Sequence, residues 1–227
     1  MRKVALITGA TSGLGKEMAR LLASGSYDLV VTGRKSEGFT EFTNNPHVRV
    51  VQGDIRDVHT QEQLVTLIHD TYRRLDVLIH NAGISYIQPF EDTTESQLTT
   101  IYETNLKAPI LLTHALYELM KQQKSSTIVF INSAAGKQGY PSHTLYSSMK
   151  FALNGFAQSL RQEARKYGMR IISIFPGGIK TNLYDTVKQK PDIEKYMDPV
   201  DVAKLVVSMI ETNGLSPDEL SISRMTK

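Results

Sequence analysis

Short runs rich in Val, Ile and Leu alternate with longer amphipathic stretches along the chain, and this alternation restricts the fold more than any single residue does. The runs at 3–8, 28–32, 48–52, 76–80, 127–132 and 169–175 are nearly continuous in apolar residues, without the in-and-out pattern of a half-exposed strand. They predict strands buried on both faces. Helical spacing falls between them at 13–24, 57–73, 94–123 and 143–167, and again at 199–211. Thr94-x-x-Gln97 is a capping-box start, and Asp198-Pro199 pairs a good cap with a good first residue. A seventh strand is expected at 219–223, while 33–45 is short for a crossover helix and reads as irregular. Strand–helix alternation of this kind predicts an α/β fold, a doubly wound and mostly parallel sheet of about seven strands with helices on both faces. No repeat or linker interrupts it, so residues 1–227 are read as a single Rossmann-like domain.

Composition narrows the partners. The chain of 227 residues is 41% hydrophobic, enough for a substantial core. Its net charge of +3 comes without any run of Lys and Arg, so neither nucleic acid nor a membrane surface has an electrostatic claim as the main partner. The absence of cysteine excludes disulfides and thiolate metal sites, and the six histidines have no metal-ligand spacing. The apolar run before Thr8 is too short for a signal peptide, and none approaches the roughly 20 residues of a membrane helix. A soluble, cytoplasmic protein is the expectation.

The first strand runs into TGATSGLG, with Gly9, Thr11, Ser12, Gly13, Leu14 and Gly15 ahead of the first helix. Glycine lets a backbone turn sharply and approach a phosphate, and a helix N-terminus offers free N–H groups to it. The spacing is Gly-x-x-x-Gly-x-Gly, so a bare tight turn is the competing reading. The position after strand one and before a helix favours a nucleotide. About 20 residues on, where a carboxylate would hold an adenosine ribose, stands Arg34 after Gly33. An arginine there suits a 2′-phosphate and favours NADP over NAD, against the alternative of a solvated basic loop. Asp54 and Ile55 follow the third strand, where Asp54 serves as an adenine contact or as a helix cap. Asn81, Ala82 and Gly83 follow the fourth strand at the same edge.

Tyr146 and Lys150 lie one turn apart if 143–167 is helical. An ammonium beside a phenol favours the phenolate, and lowering a tyrosine from about 10 to about 7 takes roughly 4 kcal/mol. Ser133 stands ready to hydrogen-bond the oxygen that receives the proton. The same spacing occurs in Tyr117/Lys121 and Tyr184/Lys188, so context has to choose. Tyr117 and Lys121 sit at a helix end that feeds a strand, opposite the nucleotide edge, and Tyr184 and Lys188 have no fixed partner. The helix of Tyr146 carries an apolar stripe of Leu145, Met149, Ala152, Phe156 and Leu160, which would leave the pair beside the core. Asn105 interrupts another apolar stripe. Pro109, four residues later, cannot donate to its carbonyl, which predicts a kink and a water on the freed carbonyl, or a kink with a buried structural amide.

Together, Thr8-Gly9-x-x-x-Gly13-x-Gly15, Asp54, Asn81-Ala82-Gly83, Asn105, Ser133, Tyr146-x-x-x-Lys150 and Pro176-Gly177-x-x-x-Thr181 resemble the short-chain dehydrogenase/reductase family. The resemblance implies hydride transfer between NADP and a carbonyl or alcohol carbon. It implies catalytic roles for Asn105, Ser133, Tyr146 and Lys150, with Asn105 in a water-mediated proton relay. Pro176, Gly177, Ile179 and Thr181 would border the nicotinamide. It also implies a homodimer or homotetramer that pairs the helices at 94–123 and 143–167. A small or medium ketone or aldehyde is the expected substrate, with 3-oxoacyl-thioester reduction or a non-catalytic NADP-binding regulator as alternatives. His80 stands where the family often has asparagine, and 182–198 is a short substrate segment where relatives place a lid.

Overall fold

The apolar runs form β1 (Lys3–Thr8), β2 (Tyr27–Gly33), β3 (Val48–Gln52), β4 (Val77–His80), β5 (Ser126–Ile131), β6 (Met169–Pro176) and β7 (Glu219–Ile222). The structure, a computed structural model, describes residues 2–184, 192–212 and 214–225. The strands make one seven-stranded sheet in the order β3-β2-β1-β4-β5-β6-β7. Every pairing is parallel. Burial follows position in the sheet: β4 and β5 are buried throughout, whereas β3 buries only Val48. The run at 48–52 is therefore not covered on both faces as its composition suggested, because β3 is an edge strand paired on one side only. Val50 is 40% exposed.

Among the described residues six α-helices flank the sheet: α1 (Gly13–Ser24), α2 (Val58–Leu67), α3 (Glu95–Tyr102), α4 (Ala108–Lys121), α5 (Thr144–Ala164) and α6 (Pro199–Glu211). Alternate residues of a strand point to opposite faces. Ala5 and Ile7 of β1 accordingly pack with Met18 of α1 and Val206 of α6, while Val4 and Leu6 pack with Leu64 of α2, Leu116 of α4 and Ala157 of α5. This is a single-domain, doubly wound Rossmann-like fold with two apolar layers.

Several elements differ from the sequence reading. Residues 33–45 are not irregular, since Ser36–Phe42 is a 3-10 helix that buries Phe39 and Phe42. The helices expected at 57–73 and 94–123 are broken by π-helical turns at Ile68–Tyr72 and Glu103–Lys107. The second break has a direct cause. Pro109 has no N–H for Asn105, and the chain widens one turn earlier, where the Ala108 N–H reaches back to the Glu103 carbonyl. The disruption is thus spread over residues 103–107 rather than concentrated in a kink at Pro109. Asp57, not Asp54, caps α2, accepting from the His59 and Thr60 N–H groups. The expected caps at Thr94 and Asp198 are present.

The buried face of α5 is also rotated from expectation. Tyr146, Lys150, Leu153, Ala157, Leu160 and Ala164 face the protein, while Ala152 is exposed and Leu145, Met149 and Phe156 are half-buried. The polar pair occupies the core-facing stripe instead of flanking it. Strand order reverses between β1 and β4, and in sheets of this type the crevice at the carboxyl ends of those strands is where ligands bind.

Candidate active site

The carboxyl ends of β1 and β4 are stitched together by side chains. The Thr8 hydroxyl accepts from the Asn81 and Ala82 N–H groups, both at 3.1 Å. The Asn81 amide donates to the Thr8 carbonyl at 3.1 Å and the Gly9 carbonyl at 2.9 Å. Asn81, read from sequence as a cofactor contact, thereby spends its amide on shaping the turn. Thr8, absent from the expected site residues, does half of that work. Gly15 packs so closely against the Gly9 carbonyl and the Asn81 amide that any Cβ would collide with both. Gly13 has φ +54, a conformation unfavourable to side chains, and faces Thr181 across the cleft.

These features fit a dinucleotide. Ser12 precedes α1 without capping it, so the first N–H groups of the helix have no side-chain acceptor and suit a pyrophosphate. Leu14, Ile55 and Ile179 bury their side chains in the core. Thr11 nests against Gly33 and Gly38. Arg34 is exposed at the end of β2, tied to β3 by a 3.2 Å bond from the Gln52 amide to its carbonyl. Asp54 is clamped by Arg56 through Nε at 3.1 Å and Nη2 at 2.9 Å. Arg56, with help from Arg34, holds the Asp54 carboxyl below its ordinary range. The alternative of Asp54 as a helix cap is excluded.

At the end of β5 the chain builds a second polar cluster. Ser133 opens a short 3-10 turn and accepts from the Ala135 N–H at 3.1 Å. Its hydroxyl is near enough to the Tyr146 phenol to pull that group's pKa down. Lys150 donates from Nζ to the Ile131 carbonyl at 2.8 Å, and the Asn132 amide donates to the Lys150 carbonyl at 3.1 Å. These two bonds tie α5 to the carboxyl end of β5. Asn132 is a positioning residue that spacing alone did not reveal. Lys150 Nζ lies 5.7 Å from the centre of the Tyr146 ring.

The electrostatics of this cluster correct the sequence reading. Burial pushes the Tyr146 phenol up to about 12, against a downward pull from Ser133, and pushes the Lys150 ammonium down to about 8. The expected fall of Tyr146 toward 7 does not occur in the protein alone. The ammonium is aimed at a backbone carbonyl, and loss of water dominates both groups.

The Asn105 side chain is held by the loop after β4. Its side-chain oxygen accepts from the Ile84 N–H at 2.9 Å, and its amide donates to the Ile84 carbonyl at 2.8 Å. This amide is a clamp that fixes the loop after β4. His80 is buried, stacked on Phe130 at 5.0 Å and bonded to the Thr113 hydroxyl at 2.8 Å. Burial lowers its pKa to about 3, so it stays neutral. Of the competing pairs, Lys121 sits over the Tyr167 ring at 4.5 Å and bridges Glu118 at 2.8 Å, a surface arrangement as expected. Lys188 and residues 185–191 of the expected substrate segment lie outside the described residues. The far end of that segment is anchored, with Met197 donating to the Gly178 carbonyl and Lys180 donating back to Met197, both at 2.9 Å.

The profile of the short chain dehydrogenase family matches residues 3–192. The chain belongs to that family. It is 28% identical over 224 residues to an uncharacterized oxidoreductase of Staphylococcus aureus, covering 97% of this chain and 96% of that protein. Among solved structures it is similar to ElxO with NADP bound, with a TM-score of 0.86 at 26% identity, covering 98% of this chain and 97% of the other. It is also similar to an actinorhodin polyketide ketoreductase with NADPH, with a TM-score of 0.87 at 26% identity, covering 97% and 95%. The protein is an oxidoreductase that uses a nicotinamide cofactor. Among the described residues no helix is long and apolar enough to cross a membrane.

Proposed function

We propose that this protein is an NADPH-dependent reductase of small or medium ketones and aldehydes. The observation that carries the reading is the buried Tyr146 phenol, beside Ser133 at the end of β5 and one helical turn from Lys150. A phenol pushed up to about 12 keeps its proton at neutral pH, which is the form a general acid needs. When bound, the reduced nicotinamide supplies a hydride to the carbonyl carbon. Tyr146 gives its phenolic proton to the carbonyl oxygen, and Ser133 Oγ holds that oxygen in place. The resulting phenolate is stabilised by the Lys150 ammonium, which carries its proton at neutral pH with a pKa of about 8. Gly9, Gly13, Gly15 and the start of α1 hold the pyrophosphate, Asp54 the adenine, and Gly83, Pro176, Gly177 and Thr181 the nicotinamide end.

The choice of NADP rests on Arg34 at the end of β2, where no carboxylate stands to accept a ribose hydroxyl. NADP bound to ElxO and NADPH bound to the polyketide ketoreductase support the same choice. Leu111 on α4 and Phe151 on α5, 45% and 46% exposed, support a homo-oligomer through those helices, which sedimentation would test. The direct test of function is loss of NADPH absorbance with a panel of ketones, aldehydes and diketones. Turnover of some member supports the reading. Tight NADPH binding with no turnover would replace it by a regulator.

A further inference from the structure

We infer that His143 is a specificity-determining residue which selects carbonyl substrates carrying a hydroxyl one or two carbons from the reacting carbon. The inference rests on the carbonyl reduction proposed above. His143 directly precedes α5, and its ring lies 6.4 Å from that of Tyr146 with the planes at 62°. Its Nδ1 is 2.8 Å from the Pro141 carbonyl. A carbonyl only accepts, so Nδ1 carries the hydrogen and Nε2 of the neutral ring is a bare acceptor. Among the described residues Nε2 makes no hydrogen bond, and the imidazole does not cap α5.

The backbone spends energy to put the ring there. Ser142 has φ 62, in the left-handed region that a non-glycine residue rarely adopts. It is held by the Gln88 N–H, which donates to the Ser142 carbonyl at 3.0 Å, while the His143 N–H donates to the Tyr140 carbonyl at 3.2 Å. A strained residue tied down from a second loop is over-determined, as residues at ligand sites often are. Ile84, Tyr86, Leu145 and Met149 pack against the cluster of Ile101, Ala135 and Tyr146, so apolar side chains surround the phenol ring. A plain ketone gives Nε2 nothing in place of the water it displaces. A hydroxyketone gives it an O–H donor while the carbonyl oxygen meets the phenol. The reaction itself is unchanged: the C=O carbon gains a hydride, its oxygen gains the Tyr146 proton, the reduced nicotinamide is oxidised, and the product is a diol.

The test follows NADPH consumption with 3-hydroxybutan-2-one and 4-hydroxybutan-2-one against butan-2-one, in the wild-type protein, His143→Leu and His143→Gln. In the wild type, kcat/KM for the better hydroxyketone should exceed that for butan-2-one by about five- to tenfold, the worth of one neutral hydrogen bond, mainly through KM. The ratio should fall to near one in His143→Leu and partly recover in His143→Gln, whose amide oxygen also accepts. Because each ratio is taken within one protein, a general loss of activity cancels. A wild-type ratio near one, or a ratio that survives in His143→Leu, overturns the inference and leaves carbonyl reduction standing. No turnover of any ketone overturns both.

Discussion

Replacing Lys150 with methionine should make the protein more stable as it makes it inactive. Lys150 is 5% exposed, and burial alone lowers its pKa from 10.5 to about 8. The unfolded chain therefore holds this proton more tightly than the folded one. Below pH 8 both states carry it, and the folded state bears the full charging penalty of about 3 kcal/mol. Between pH 8 and 10.5 the folded protein has lost the proton and the unfolded chain has not, so the penalty fades as pH rises. Methionine fills a similar volume without charge, but it gives up the 2.8 Å bond to the Ile131 carbonyl, worth about 1 kcal/mol. The net gain at pH 7 is about 2 kcal/mol, or roughly 4–8 °C in Tm for a chain of this size. Thermal melts of both proteins without cofactor, at pH 7 and pH 10, would measure it. The advantage should shrink and change sign toward pH 10. A variant less stable at pH 7, or an advantage that does not depend on pH, would show that the buried charge of Lys150 does not destabilise the fold.

Other consequences follow from the same residues. His80 stays neutral in the fold, with a pKa lowered by burial to about 3, while the unfolded ring takes a proton below about 6.5. Stability should therefore fall by about 2 kcal/mol between neutrality and pH 5, and keep falling toward pH 3. His80→Asn should flatten that slope in denaturant titrations, and an unchanged slope would exclude His80 as its source. Arg34→Ala should weaken NADPH binding by about tenfold or more and leave NADH nearly unaffected, as one charge-assisted contact to a 2′-phosphate requires. Unchanged preference for NADPH would remove Arg34 from the site. Asn105→Ala leaves both polar groups of Ile84 without their partner, so it should cost about 2 kcal/mol in stability and lower turnover by loosening the loop after β4. A stable variant with a normal rate would deny the clamp.

The parallel sheet was legible because strands buried on both faces must be continuously apolar, as β4 and β5 are. The site edge was legible for a related reason. The glycine turn, Asn81 and Ser133 each follow a strand, and a parallel sheet brings all strand ends to one side. The rotation of α5 was not legible. Leu145 and Met149 look like core residues, but they belong to a small cluster around Tyr146, while Lys150 reaches the Ile131 carbonyl from the buried face. The edge position of β3 escaped composition because Val48, Val50 and Val51 are all apolar and only pairing reveals exposure. Contacts between residues far apart in sequence, such as Asn105 with Ile84 and Thr8 with Asn81, have no periodic signature. The protonation states of Tyr146 and Lys150 depend on burial, which spacing does not report.

The proposed reduction turns on one proton. Tyr146→Phe keeps the ring, the packing and every proposed cofactor contact except the phenol oxygen. Measured on one preparation, the variant should bind NADPH within about twofold of wild type. Its turnover with any ketone the wild type reduces should fall by about 10²–10⁴-fold, the usual worth of a positioned general acid. Full activity in Tyr146→Phe would contradict the assignment of Tyr146 as the acid.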